Sequence, residues 1–228
     1  MLQIAQKGDR IFVTNIEIGL NPFLSFIIIL RTAEFFDLRG TRMKRNKQQQ
    51  TLKYSVLASV FATIITVLTF YIKIPSHNGY IHLGDSVIYL AAALLPAPFA
   101  MVCAGLGGML ADALGGYTLY ILPTFIIKML IALPFSSKRD RVITNRNIIA
   151  LPIASAITIL GYYIAEAVLV SLSATGSPEQ FFSYLFSPAP WVATLYAIPG
   201  SVMQAVGSAV MFVLLGFALD KIKIKSKI

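Results

Sequence analysis

The sequence predicts an all-α integral membrane protein, a bundle of six transmembrane helices with both termini on the cytoplasmic side. Three observations carry this. Hydrophobic residues make up 57% of the chain and charged residues only 13%, with a mean hydropathy of +0.74, whereas a soluble domain is about one quarter charged. The apolar residues fall in six runs of roughly 13 to 28 residues, against about 20 for an average bilayer span. The formal net charge of +9 is concentrated between those runs, at 44–53, 138–146 and 221–227. With an even number of spans all three basic segments land on one side, which the positive-inside rule makes the cytoplasm. In a soluble protein such a charge would suggest nucleic acid. Here it sets topology, and no nucleic-acid partner is expected.

Taken in order, residues 1–42 differ from the rest. They carry KGDR and RTAEFFDLRGTR around a short apolar core, Pro22 to Leu30, too short to span a bilayer. At Met43 the text changes to MKRNKQQQTLKYSVLASVF, a basic start running into a long apolar run. The preferred reading takes Met43 as the start and 1–42 as an upstream extension, leaving 43–228 as the membrane domain. The competing reading is an interfacial helix around 22–36.

The first helix is expected over about 52–74. It carries Ala58 and Ala62, a small-xxx-small pair that lets a second helix approach closely; ordinary internal packing explains such a pair equally well. Pro75 is expected to end the helix, with SHNGYIH as a polar loop. The second helix, about 83–95, is short for a span and opens on Gly84-Asp85. A Pro-Ala-Pro turn leads to the third, about 99–114. Ala100, Ala104 and Gly108 form one small-residue ridge on it, and Gly107, Ala111 and Gly115 another. Gly115-Gly116 breaks the chain, and Tyr117 opens a fourth helix reaching about 133. SSKRDRVITNR is a loop with four basic residues and one acid. The fifth helix covers about 148–172 and holds Glu166. A polar outer segment follows, and the sixth helix, about 192–219, carries Pro199-Gly200 and Gln204.

Polar groups inside apolar runs mark function unless they are paired. Asp85 opens the second helix at the outer surface, Asp112 lies about one turn below the outer end of the third, and Glu166 nearly two turns into the fifth. Lys128 is deeper, in the middle or inner half of the fourth. Asn78, Tyr80 and His82 sit in the first outer loop. With Tyr117, Tyr120, Tyr162, Tyr163, Trp191 and Gln204 they could line an outward-opening pocket for a small, flat, polar heterocycle. Each has a plainer reading. Asp85 suits a helix cap, Asp112 an ion pair with Lys128 or a tyrosine, Lys128 snorkelling to the interface, and the aromatics interface anchoring. Glu166 is the hardest to dismiss, because an unpaired carboxylate at that depth is costly. One cysteine, Cys103, and two histidines make a metal site unlooked for. GLGG at 105–108 lacks the following Lys-Ser/Thr and the preceding strand of a phosphate loop. No cofactor or catalytic constellation is expected.

GYIHLGDSVIYLAAALL, GLGGMLADALGGY and YILPTFIIKMLIA, in this order and spacing, resemble the substrate-binding S-components of energy-coupling factor (ECF) vitamin transporters. The closest likeness is to the hydroxymethylpyrimidine and riboflavin-like branch, and it covers about residues 53–219. Asp85, Asp112, Tyr117 and Lys128 match its motifs directly; Asn78, His82, Glu166 and Gln204 are ligand candidates by position, His82 standing where the pattern often has Asn. The resemblance implies a six-helix substrate-capture subunit in a bacterial plasma membrane, with no ATPase of its own. Its partners would be a transmembrane coupling subunit, docked through Ala58 and Ala62, and a pair of ABC-type ATPases. Its ligand would be a small vitamin or precursor such as hydroxymethylpyrimidine, a pyridoxine-like ring or a flavin. The loop at 75–83 would close over the ligand and the bundle would topple to release it inward. The alternative is a self-sufficient proton-coupled carrier using Glu166 or Asp112, which predicts inverted repeats that the halves do not display. An intramembrane enzyme would need a nucleophile with a paired base or a metal, and a passive scaffold would leave Glu166 unexplained.

Overall fold

The computed structural model describes residues 3–7, 10–14, 47–76 and 79–226. The chain divides into two compact units, Met1–Lys44 and Arg45–Ile228. In the first, β1 (Gln3–Lys7) pairs antiparallel with β2 (Arg10–Thr14), with Gln3 opposite Thr14 and Lys7 opposite Arg10. The helix considered around 22–36, the start considered at Met43 and the ligand candidate Asn78 lie outside the described residues.

The second unit opens with α1 (Lys47–Tyr71). A hairpin follows, β3 (Lys73–Ser76) with β4 (Gly79–His82), pairing Lys73 with His82 and Ser76 with Gly79. Then come α2 (Gly84–Leu94), α3 (Ala97–Gly115) and, after a 3-10 turn at Thr118–Tyr120, α4 (Ile121–Ala132). A loop leads to α5 (Asn145–Ala174). Two short helices, α6 (Pro178–Leu185) and α7 (Pro188–Ala193), precede α8 (Ile198–Lys221). The expected polar loop after α1 is thus a β-hairpin, and α1 ends at Tyr71, ahead of Pro75. That proline sits inside β3, where a two-stranded ribbon leaves one edge free and a missing N–H is tolerated.

Among the described residues, four helical stretches are long and apolar enough to cross a membrane: Gln48–Tyr71, Ala97–Gly115, Asn145–Ala174 and Pro188–Lys221. Gly84–Leu94 and Thr118–Ala132 are apolar but shorter. The long helices turn large apolar side chains outward, Leu114 (65% exposed), Leu160 (58%) and Leu214 (60%) among them. The interior instead holds Thr66, Asp85, Lys128, Asn147, Thr158 and Gln204. An apolar exterior around a partly polar interior is the arrangement of a protein dissolved in hydrocarbon.

All eleven residues of α2 are buried. It runs through the middle of the unit, against α1, α3, α4 and α8, which explains both its shortness and its lack of a polar face. At its midpoint Tyr89 stacks on Phe135 (4.9 Å between ring centres) and meets Phe212 edge-on. The small residues of α3 serve close approach. A side chain at Gly107 would meet Ile65 and the Ala62 carbonyl of α1, and one at Gly108 would meet Lys128 and Thr124 of α4. The Thr66 hydroxyl closes the first contact by donating to the Gly107 carbonyl at 3.0 Å. Gly107 and Gly108 therefore let α3 pack tightly on two neighbours at once.

Candidate functional site

The polar interior begins where β4 runs into α2. His82 ends the strand, and Asp85 lies in the first turn of α2 with no exposure. Lys128, from the middle of α4, reaches it with a 2.6 Å Nζ–Oδ1 ion pair. Gln204 of α8 donates from Nε2 to the other Asp85 oxygen (3.1 Å), while its Oε1 accepts the backbone N–H of His82 (2.6 Å). The His82 ring nitrogen Nδ1 accepts the N–H of Gly84 at 3.0 Å, so the neutral ring carries its proton on Nε2. Thr69 of α1 and Gln204 Nε2 each stand 3.4 Å from the same Nδ1. Ser208 lies 3.4 Å from Gln204 Nε2. Four helices and the hairpin thus meet on one hydrogen-bonded set.

The ammonium of Lys128 also sits 5.2 Å from the centre of the Tyr162 ring, a favourable cation–π placement. The Tyr162 hydroxyl bonds to Thr124, one turn before Lys128, at 3.2 Å. Asp85, read from the sequence as a cap at the outer surface, is fully buried and paired with Lys128. Lys128 does not snorkel; it is 1% exposed and paired with Asp85. Asp112, expected to pair with Lys128 or a tyrosine, lies near the end of α3, 6% exposed and within electrostatic reach of Tyr162.

Glu166 belongs to a second group. Its Oε1 accepts the Tyr120 hydroxyl at 2.8 Å, and Tyr196 lies within reach of its charge. Tyr117 meets Tyr120 edge-on, ring centres 6.4 Å apart. Tyr163 and Trp191 pack at 5.6 Å and tie α5 to α7 through the Tyr163 hydroxyl and the Trp191 carbonyl (2.9 Å). The structure therefore splits the sequence candidates: His82, Asp85, Lys128 and Gln204 come together, while Glu166 and Tyr117 gather around Tyr120. Thr69, Thr124 and Ser208 were missed. The signal for two of them was present, because Thr124 and Lys128, like Gln204 and Ser208, are four residues apart and share a helix face.

The first group is self-satisfied. Each charge has a partner and each amide or ring group a bond, as a buried polar network must if it is to stabilise rather than strain. Burial pulls the His82 imidazole down to about 4; Asp85 opposes this and Lys128 adds to it. An unfolded histidine takes its proton near 6.5, so between about 6.5 and 4 the unfolded chain binds a proton that the folded chain refuses. The contribution is complete above 6.5 and is lost as pH falls toward 4, by at most about tenfold in the folding constant per pH unit. Thermal unfolding in detergent should show that slope in the native protein, and His82→Gln should flatten it. An equal slope in both proteins would rule His82 out as its source.

A third feature lies on the outside of the bundle. A groove of about 650 Å³ runs between α1 and α3, with Ala58 and Ala62 on its floor, Ser55, Ser59 and Thr63 on one side and Phe99 among the α3 residues on the other. The hydroxyls of Ser59 and Thr63 bond back to carbonyls of their own helix, leaving a surface of small, internally satisfied residues. Ala58 also packs inward and is only 8% exposed.

A sequence model of the family described as ECF-type riboflavin transporter, S component, matches residues 49–221. No curated protein matches the chain.

Proposed function

Because this chain belongs to the ECF-type riboflavin transporter S-component family, we propose that it captures a flavin-like vitamin for an ATP-driven importer. The single observation that carries the reading is the family match over 49–221, nearly the whole bundle. S-components of this family are transporter subunits that capture vitamin-type substrates in the membrane. For this chain the finer assignments are riboflavin as ligand, six spans with both termini cytoplasmic, a bacterial plasma membrane, and partners comprising a coupling subunit and two ATPases. Hydroxymethylpyrimidine and a pyridoxine-like ring are the competing ligands.

The eight candidate residues divide by their surroundings. Glu166, held by Tyr120 beside Tyr117 and Tyr196, offers a hydrogen-bonding carboxylate among aromatic faces, the combination that orients a flat heterocycle. Asp112 and Asn78 are assigned to the same ligand. His82, Asp85, Lys128 and Gln204 seat the β3–β4 hairpin on the bundle, and their bonds are those that would exchange when a ligand enters beneath it. The proton-coupled carrier finds no support in the family match.

Riboflavin fluorescence gives the direct test. Titration of the purified full chain in detergent should quench the flavin saturably, and riboflavin at a hundred times its Kd should stabilise the fold by about 2.7 kcal/mol. Glu166→Gln should weaken binding at least tenfold. A folded protein that responds to hydroxymethylpyrimidine or pyridoxine and not to riboflavin would replace the ligand; uptake by the chain alone, without partner or ATP, would overturn the subunit reading. The α1–α3 groove is assigned to the coupling subunit. Ala62→Leu, which fills its floor, should abolish co-purification with that subunit while riboflavin affinity stays within about twofold; retained co-purification would move the interface elsewhere.

A further inference from the structure

At the end of the bundle where α4, α5 and α8 come together, two basic segments far apart in sequence are locked into one surface. Asp220, in the last turn of α8, accepts the backbone N–H groups of Val142 (2.6 Å) and Ile143 (2.9 Å). Lys223, at φ 52°, turns the chain back after α8, and Ile224 is buried. Lys225 then places its ammonium among three backbone carbonyls, those of Ser137 (3.2 Å), Arg139 (2.7 Å) and Arg141 (3.1 Å). Asn147, with no exposure, bonds to the N–H and C=O of Ser136 and to the carbonyl of Val142.

These bonds use backbone groups and leave the loop's side chains free. Lys138, Arg139, Arg141, Arg146, Lys221 and Lys223 are all exposed, and among the described residues none of the six makes an ion pair. The only exposed acid in the two segments is Asp140. Orientation in the membrane requires only that cations be present on one side; it does not require them to be gathered and held by a carboxylate, an ammonium and an amide. Beside them stand outward apolar side chains at the helix ends, Leu133, Ile149 and Ile222. Fixed cations next to an apolar wall at the end of a membrane bundle fit a phosphate headgroup with its acyl chains alongside.

We infer that this surface binds the headgroup of an anionic phospholipid of the surrounding bilayer. The occupant follows from charge, since a zwitterionic headgroup would give six unpaired cations no net counter-charge, and from position, since the surface adjoins the apolar belt of the bundle.

The test uses the full chain in a neutral detergent, with phosphatidylglycerol or phosphatidylcholine added in mixed micelles and thermal unfolding and native mass spectrometry as readouts. Phosphatidylglycerol should raise Tm and remain bound in the spectrometer, and phosphatidylcholine should do neither. The preference should shrink at 1 M salt, where the screening length falls to about 3 Å. The triple variant K138Q/R139Q/R141Q changes only exposed side chains, so it should unfold at the unmodified temperature without lipid. Its affinity for phosphatidylglycerol should fall on the order of a hundredfold at low salt. Lys225→Met keeps all six cations but opens the carbonyl cage, and should weaken binding at least tenfold. An equal response to the two lipids, or a triple variant that retains the preference, would overturn the proposal. Unchanged binding by Lys225→Met would reduce it to diffuse attraction without a built surface. Equal stabilisation by glycerol phosphate alone would assign the site to a soluble phosphate instead.

Discussion

Lys128→Met is expected to destabilise the protein by about 3–5 kcal/mol, the cost of leaving a buried charge without its partner. Asp85 has no exposure and lies 2.6 Å from the ammonium. Removing Lys128 leaves that carboxylate with one neutral donor, the Gln204 amide at 3.1 Å, which cannot replace a full opposite charge. Met keeps most of the volume, so the loss reports charge rather than a cavity. The paired change Asp85→Leu/Lys128→Met should behave differently. Replacing both ions by apolar groups of similar size is often close to neutral, and the remaining penalty is a Gln204 amide left with its weaker 3.4 Å contacts to His82 and Ser208, about 1–3 kcal/mol. Unfolding of the four proteins of this cycle in one detergent gives the coupling directly. A single variant as stable as the unmodified protein would show that the pair is solvated and free for a ligand.

Gly84→Ala should cost about 1–3 kcal/mol, the usual range for overpacking, although intrinsic preference argues the other way. Gly84 is the first residue of α2, where alanine would otherwise gain up to about 1 kcal/mol in helix propensity. A β-carbon there would overlap the Thr69 hydroxyl of α1 and come within 3.0 Å of His82 Nδ1. The Gly84 N–H donates to that same nitrogen, so retreat from the clash breaks the bond that orients the imidazole. Thr69→Ala removes the obstructing oxygen, and in the Gly84→Ala background it should restore at least half of the lost stability. A stabilised Gly84→Ala protein would mean that α1 and α2 are not in contact at this point.

Both predictions rest on α2, the element least legible in the sequence. Its apolar text and shortness were readable, but those features fit a partial span as well as a helix buried on every side. Its first turn reads as an outer-surface cap because Gly84-Asp85 follows a polar segment. The structure instead makes that segment a hairpin and sets Asp85 against Lys128 on α4. Alternation in Lys-Ile-Pro-Ser and Gly-Tyr-Ile-His is too brief to announce two strands, and Pro75 argued for a simple helix stop. Glu166 stood out in the sequence as a carboxylate in need of a partner, and Tyr120 supplies it. The identity of that partner could not be read from spacing, because the two lie 46 residues apart on different helices.

What the sequence determined by itself is what depends on solvent. Hydropathy marks which stretches are apolar enough for hydrocarbon, the basic segments set the orientation to expect, and small residues on α3 mark where helices approach. Each is a property of a residue and its near neighbours, and transfer energy and packing size act at that range. Only the tertiary structure decided which carboxylate pairs with Lys128, that Gln204 joins the hairpin to α8, and that Lys225 gathers the basic loop. Those choices depend on which helices lie side by side. A buried charge takes whatever partner the packing brings within about 3 Å, and no local pattern in the chain encodes that neighbour.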